Sequence, residues 1–227
     1  MIVRLFLAGF LAALSTCRTT FEDSAGDRIT RIGFGSCARQ DEPQPIWDDV
    51  LSANPDLFIL MGDNVYADTT NMGAMRRAYQ RLGEVRGFKK LRQTRSVVAT
   101  WDDHDYGAND AGAEYPRKAE AQRIFLDFFN EPEASARRKS PGVYTSYYIG
   151  PDSSLLQAES LATKSTRPDP RIQIIMLDTR YFRDALRQAP DSRPGKRHYL
   201  PHDDAKRTLL GSAQWQWLEK ELSQPAD

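Results

Sequence analysis

The sequence lacks what would mark a nucleic-acid-binding, multi-spanning or disulfide-built protein. Its 31 Lys and Arg are matched by 31 Asp and Glu, so no excess of positive charge is available to neutralise a phosphate backbone, and no nucleic-acid-binding surface is evident. Long apolar runs are missing except at the N-terminus, which excludes repeated membrane crossing. Two cysteines, Cys17 and Cys37, are too few for a disulfide framework. No internal repeat is present, and no linker argues for a second domain. What remains, 227 residues of which 40% are hydrophobic and 27% charged, suits one globular domain with a sizeable core.

The N-terminal run has the form of an export signal. Met1–Arg4 is a short positive region and Leu5–Leu14 (LFLAGFLAAL) an apolar segment of signal-peptide length, short for a transmembrane helix. Leu14-Ser15-Thr16-Cys17 has the outline of a lipoprotein box, although Thr16 stands where a smaller residue is usual. Cys17 is therefore either a lipid-anchored mature N-terminus or lost with the signal. The expected organisation is an export signal over 1–17, a mature N-terminal segment over 18–28 and one domain over 29–227, in a protein that is periplasmic or membrane-anchored. Either fate of Cys17 leaves Cys37 without an intramolecular partner, as a small buried residue at a strand end or as a metal thiolate.

The mature chain alternates strands and helices. Ile29–Phe34 alternates and runs into Gly35-Ser36-Cys37, a strand entering a tight loop. Pro45–Ser52 has Pro at a helix start, and Asn54-Pro55 breaks that helix before Leu57–Met61 (LFILM), a buried type of strand. Helices over Met72–Leu82 and Glu84–Arg92 precede a third strand, Ser96–Trp101. A helix over Tyr115–Phe129, strands over Gly142–Gly150 and Arg171–Leu177, and a closing helix over Leu209–Leu222 follow. Pro151–Pro170 reads as a surface insertion and Pro190–Asp204 as loop. The pattern predicts an α/β fold with a mostly parallel sheet.

The chemistry is concentrated after the second and third strands. Gly62-Asp63-Asn64-Val65-Tyr66 follows LFILM directly, at the carboxyl end of a parallel strand, where α/β folds build their sites. Trp101–Asp110 holds four aspartates, a His and an Asn in ten residues; such crowding of like charge calls for a cation, or else is a solvated loop with capping aspartates. Arg180 and Arg183 follow a strand and suit either a phosphate or an ordinary salt bridge, and Asp178 lies at the strand end itself. His198 and His202 are four residues apart, but Pro201 interrupts any helix there. The eight basic residues between Arg76 and Arg95 read as the solvated face of two helices, with anion steering as the alternative.

Taken in order, Phe34–Ala38, Gly62–Asp68, Trp101–Gly107 with Asn109-Asp110, Leu177–Arg180 and Leu210–Trp215 resemble the motifs of the alkaline phosphatase D family, exported metallophosphoesterases. The resemblance implies a two-sheet sandwich flanked by helices (α/β/β/α), with metal ions in the loops at one end. It implies that Asp63 bridges two metals and that Cys37 and Tyr66 ligate ferric iron. Asp103 and Asn109 then supply hard oxygens suited to calcium. His104 is expected to protonate the leaving alkoxide with Asp105 holding its ring, and Asn64 and Arg180 to contact a phosphate ester substrate.

The sequence also departs from the family. Members continue beyond the helix of Trp215 and Trp217 to a Ser-Gly-Asp-x-His segment, whereas this chain ends at Asp227 and has no His after His202. The expectation is a domain incomplete at its C-terminus. Two classes of function follow: a phosphomonoesterase or phosphodiesterase, or an exported remnant that is not catalytic and binds calcium or nothing. Sequence assigns no oligomeric state. If the export signal is real, mass spectrometry of the mature protein will find an N-terminus at or near Cys17 outside the cytoplasm; an intact Met1 in cytosolic protein would refute it.

Overall fold

A computed structural model describes residues 29–150, 155–157, 172–193 and 198–223. The predicted export signal, most of the Pro151–Pro170 insertion and residues 194–197 lie outside them. Strands β1 (Ile32–Gly35), β2 (Leu57–Met61) and β3 (Ser96–Thr100) form a parallel sheet in the order β1-β2-β3. Between β1 and β2 runs α1 (Ile46–Ala53), which Asn54 ends in a left-handed conformation, φ 52°. Between β2 and β3 run α2 (Met72–Glu84) and α3 (Arg86–Thr94). The Asn71 side chain starts α2 by accepting from the backbone N–H groups of Gly73 and Ala74.

Helical spacing places Met72, Met75, Tyr79 and Leu82 on the buried side of α2. They join Trp47, Phe58, Phe88 and Phe125 in the main core, where Trp47 and Phe88 lie 5.2 Å apart and Trp101 and Phe125 5.5 Å. Two further helices are α4 (Asp103–Tyr106), a single turn, and α5 (Lys118–Phe128). Among the described residues no helix is long and apolar enough to cross a membrane.

The second half is built differently from the prediction. Strand β4 (Thr145–Ile149), buried along its whole length, pairs antiparallel with both β5 (Leu155–Gln157) and β6 (Ile172–Met176). A parallel sheet needs a crossover between neighbours. No helix in the described residues intervenes between β4 and β6, so the strand-helix alternation holds only for β1 to β3. The predicted insertion contributes β5. The predicted loop over 190–204 contributes β8 (Tyr199–Leu200), which pairs with β7 (Arg187–Gln188). Helix α6 (Gly211–Leu222) closes the described chain. The result is a mixed α/β architecture of small sheets and six helices among the described residues.

Buried polar groups tie the two larger sheets together. Arg137 is 3% exposed; its guanidinium donates to the carbonyl oxygens of Ala99 on β3 (3.1 Å) and Val143 before β4 (2.6 Å), and to Glu131 (2.9 Å). Glu131 in turn accepts from Ser135 and from Gln157 on β5. At the sheet ends the Thr100 hydroxyl donates to the Leu177 carbonyl (2.9 Å). Removing one partner of a buried ion pair strands the other, which costs about 3–5 kcal/mol. Arg137→Met is therefore expected to lower unfolding stability by that amount in urea titrations, and adding Glu131→Met to recover part of the loss.

Candidate active site

The loops after β1, β2 and β3 converge at the carboxyl ends of the parallel strands. Gly62 (φ +110°) lets the β2 loop pass against the β3 loop: a Cβ there would lie 2.8 Å from the Asp102 nitrogen and 2.9 Å from the Trp101 carbonyl carbon. Asp63 and Cys37 follow their strands with φ near 51° and 61°, in the left-handed region. The β1 loop is fastened by backbone bonds from Cys37 to the Gly62 carbonyl (3.2 Å) and from Ala38 to the Asp63 carbonyl (2.9 Å).

One buried carboxylate locks the other two loops. Asp105, with no exposed surface, accepts from the Asn64 backbone (3.1 Å), the Asn64 carboxamide (2.5 Å) and the Asp102 backbone (2.7 Å). Burial pushes its pKa up to about 8, while those N–H donors hold it down. Asn64 is equally buried and gives its amide protons to Asp105 and to the Thr100 carbonyl (2.8 Å). Its carboxamide nitrogen thus supports the loops, while its Oδ1 is buried without a hydrogen-bond partner.

Around this lock stand the other candidate side chains. Asp63, Asp103 and His104 each bring one ligand atom to within 4.8 Å of the others, separations that the ligands of a single cation can span. One Asp63 oxygen accepts from the Tyr66 hydroxyl (3.3 Å) and the Cys37 thiol (3.7 Å). The other is buried without a hydrogen-bond partner. Burial raises the Asp63 pKa, with the His104 charge opposing. It also holds the Tyr66 phenol above its ordinary value, with Cys37 and Asp63 adding to the effect. For Asp103, burial is outweighed by the Asp110 N–H (2.6 Å) and the Arg180 guanidinium, and its pKa falls below the ordinary carboxyl value.

The partner of His104 corrects the sequence expectation. Its Nδ1 lies 2.7 Å from an Asp68 oxygen, and its ring stacks on Tyr66 with centroids 4.2 Å apart. Asp105 cannot hold that ring, since consecutive residues of a helical turn point to different sides. Asp68 was within the quoted Gly62–Asp68 motif, but nothing in the spacing tied it to a histidine 36 residues away.

The remaining expectations divide. Cys37 is exposed, which removes the buried-residue alternative. Arg180 reaches the cluster: it pairs with Asp102 and lies 3.7 Å from Asp103, while one terminal nitrogen is buried without a partner. Arg183 donates to the backbone carbonyls of Asp110 and Ala111. Asp178 accepts from the backbones of Val143, Arg180 and Tyr181, all at 2.9 Å, and is a loop staple. Asn109 is exposed and its carboxamide bonds to Asp110 (2.5 Å). His198 pairs with Asp191 in an exposed loop, and neither it nor His202 joins the cluster.

At the carboxyl end of a parallel sheet the chain gathers a carboxylate–imidazole cluster that could hold a metal ion. The chain belongs to the PhoD-like phosphatase family, whose sequence profile matches residues 32–227. Its structure is similar to a solved one titled "Structure of PhoD", with a TM-score of 0.60 and 19% sequence identity, over 87% of this chain and 40% of that chain. At that identity the likeness shows the fold, and this chain spans 40% of the solved protein's length. No curated protein matches the chain.

The two aspartates beside the cluster should separate in a stability measurement. Asp105→Asn turns an amide toward N–H donors in a sealed site, which costs about 1–3 kcal/mol for each donor left unsatisfied. Asp68→Asn acts at a half-exposed pair and should stay within about 0.5 kcal/mol of wild type. Thermal melts of both variants check this order.

Proposed function

We propose that the chain carries part of the catalytic centre of a metal-dependent phosphoric ester hydrolase, acting on phosphomonoesters or phosphodiesters. The observation that carries this reading is the Asp63–Asp103–His104 cluster with Cys37 and Tyr66 both directed at Asp63. Thiolate, phenolate and carboxylate together suit a trivalent iron, and Asp103 with Asn109 suits calcium. The unpartnered Asp63 oxygen fits a role between two cations. Bound metals would polarise a phosphoryl oxygen and lower the pKa of a water nucleophile.

The chain's own groups complete the chemistry. Arg180, fixed by Asp102 and 3.7 Å from Asp103, is the guanidinium at the cluster and would contact a phosphoryl oxygen there. His104 donates a proton to the leaving oxygen, and Asp68 orients the ring by its bond to Nδ1, which leaves Nε2 as the transferring atom. We further propose that residues 29–227 form the PhoD-like domain and that the two sheets joined by Arg137 are halves of a two-layer sandwich. The protein would be exported, on the strength of its N-terminal sequence. No observation among the described residues favours a non-catalytic remnant.

The test separates scaffold from acid. Asp63→Asn should lose metal and activity together, because a neutral amide cannot offset two cations. His104→Ala should keep most of its metal, which the carboxylates, thiolate and phenolate hold, yet hydrolyse esters about 10²–10⁴-fold more slowly, with the larger effect on alkyl esters than on nitrophenyl phosphate. Tyr66→Phe should weaken or shift a visible charge-transfer band if iron is bound. Elemental analysis, absorption spectra and initial rates provide the readouts. Wild-type rates on both ester types in His104→Ala would remove it as the acid.

A further inference from the structure

Behind Tyr66 lies a second feature that the metal cluster does not use. Gln40, Arg77, Gln80, Arg81, Glu84 and Val85 line a cleft of about 520 Å³ on the outer face of α2. Arg77 and Arg81 are exposed and form no hydrogen bond or ion pair among the described residues. Like charges four residues apart on a helix repel, and the one carboxylate that lines the cleft, Glu84, pairs with Lys89 at 3.5 Å. At this spacing two guanidinium groups can converge on the oxygens of one phosphate.

The cleft is joined to the candidate active site through Gln40. Its carboxamide accepts from the Tyr66 backbone nitrogen (2.8 Å) and donates to the Tyr66 carbonyl (3.1 Å), so one wall of the cleft is the residue that holds Tyr66 in place. Its neighbour Arg39 lays a guanidinium 4.9 Å from the centre of the Tyr66 ring. Arg39, itself 3.6 Å from Asp41, adds a cation at the Tyr66 ring, whereas the cluster itself is acidic. Resting on the hydrolase reading above, we propose that the Arg77–Arg81 cleft is an anion subsite for a second phosphate of the substrate. The substrate class is then phosphate esters that carry a further phosphate, in preference to esters of neutral alcohols.

Two measurements test the site and its use separately. Calorimetric titration of the chelator-treated full chain with inorganic phosphate reads the site without any metal or turnover. The double variant Arg77→Ala/Arg81→Ala, both changes being on an exposed helix face, should bind phosphate at least about tenfold more weakly than wild type. An unchanged isotherm overturns the proposal whatever the activity. In the metal-loaded protein, the ratio of kcat/KM for propane-1,3-diol bisphosphate to that for propyl phosphate should fall about tenfold in the double variant. A weakened isotherm with an unchanged ratio retains an anion site and overturns its assignment to substrate. A weakened isotherm with no turnover of any ester by wild type leaves the anion site standing and counts against the hydrolase reading alone.

Discussion

The buried carboxylate of Asp105 is the constraint on which the site depends. It takes N–H groups from Asn64 in one loop and from Asp102 in the next, and so fixes the spacing of two loops that share no covalent link for some 41 residues. Asp63 sits one residue before the first anchor, and Asp103 and His104 lie between the second anchor and Asp105 itself. Their mutual distance is therefore set by a group that does not face them. A loop held by one exposed contact would wander; a sealed carboxylate with three donors in place holds its partners because releasing any of them leaves a buried polar group unsatisfied.

The same device recurs further out. Asp178 gathers three backbone N–H groups after β6, and its own backbone is gripped by Gln214 of α6 on both sides, at 2.8 Å each. Arg137 does the reciprocal work, donating to carbonyls of β3 and of the segment that leads into β4. Glu221 at the end of α6 accepts from Ser146 and Tyr148 on β4. The positions of Arg180 and the active loops thus pass through a series of buried side chains satisfied by backbone, which rigidifies the scaffold around an exposed site.

Sequence made the first half of the fold legible because local signals and tertiary placement agree there. The apolar run LFILM, the Asn54-Pro55 break and the spacing of Met72, Met75 and Tyr79 each specify one outcome. The second half was misread because Gly142–Gly150 and Arg171–Leu177 declare strands without declaring direction, and direction was inferred from helices upstream. At the site, strand-end position marked the loops of Asp63 and of Asp103-His104 as candidates, and the family resemblance grouped the three residues. The partner of His104 did not, because adjacency in sequence favours Asp105 while helical geometry turns it inward. Arg137 and Glu131 gave no signal at all, since a buried ion pair looks like surface charge until the fold encloses it.

Cys37, Asp63, Asp68 and Asp110 all have positive φ, a conformation in which glycine is at ease and a side chain is strained by about 1–3 kcal/mol. Asp tolerates it better than most residues, and Cys has no such excuse. The chain therefore holds its reactive groups at positions where random drift toward glycine would relax the backbone. Side chains at these four positions cost backbone stability that glycine would return.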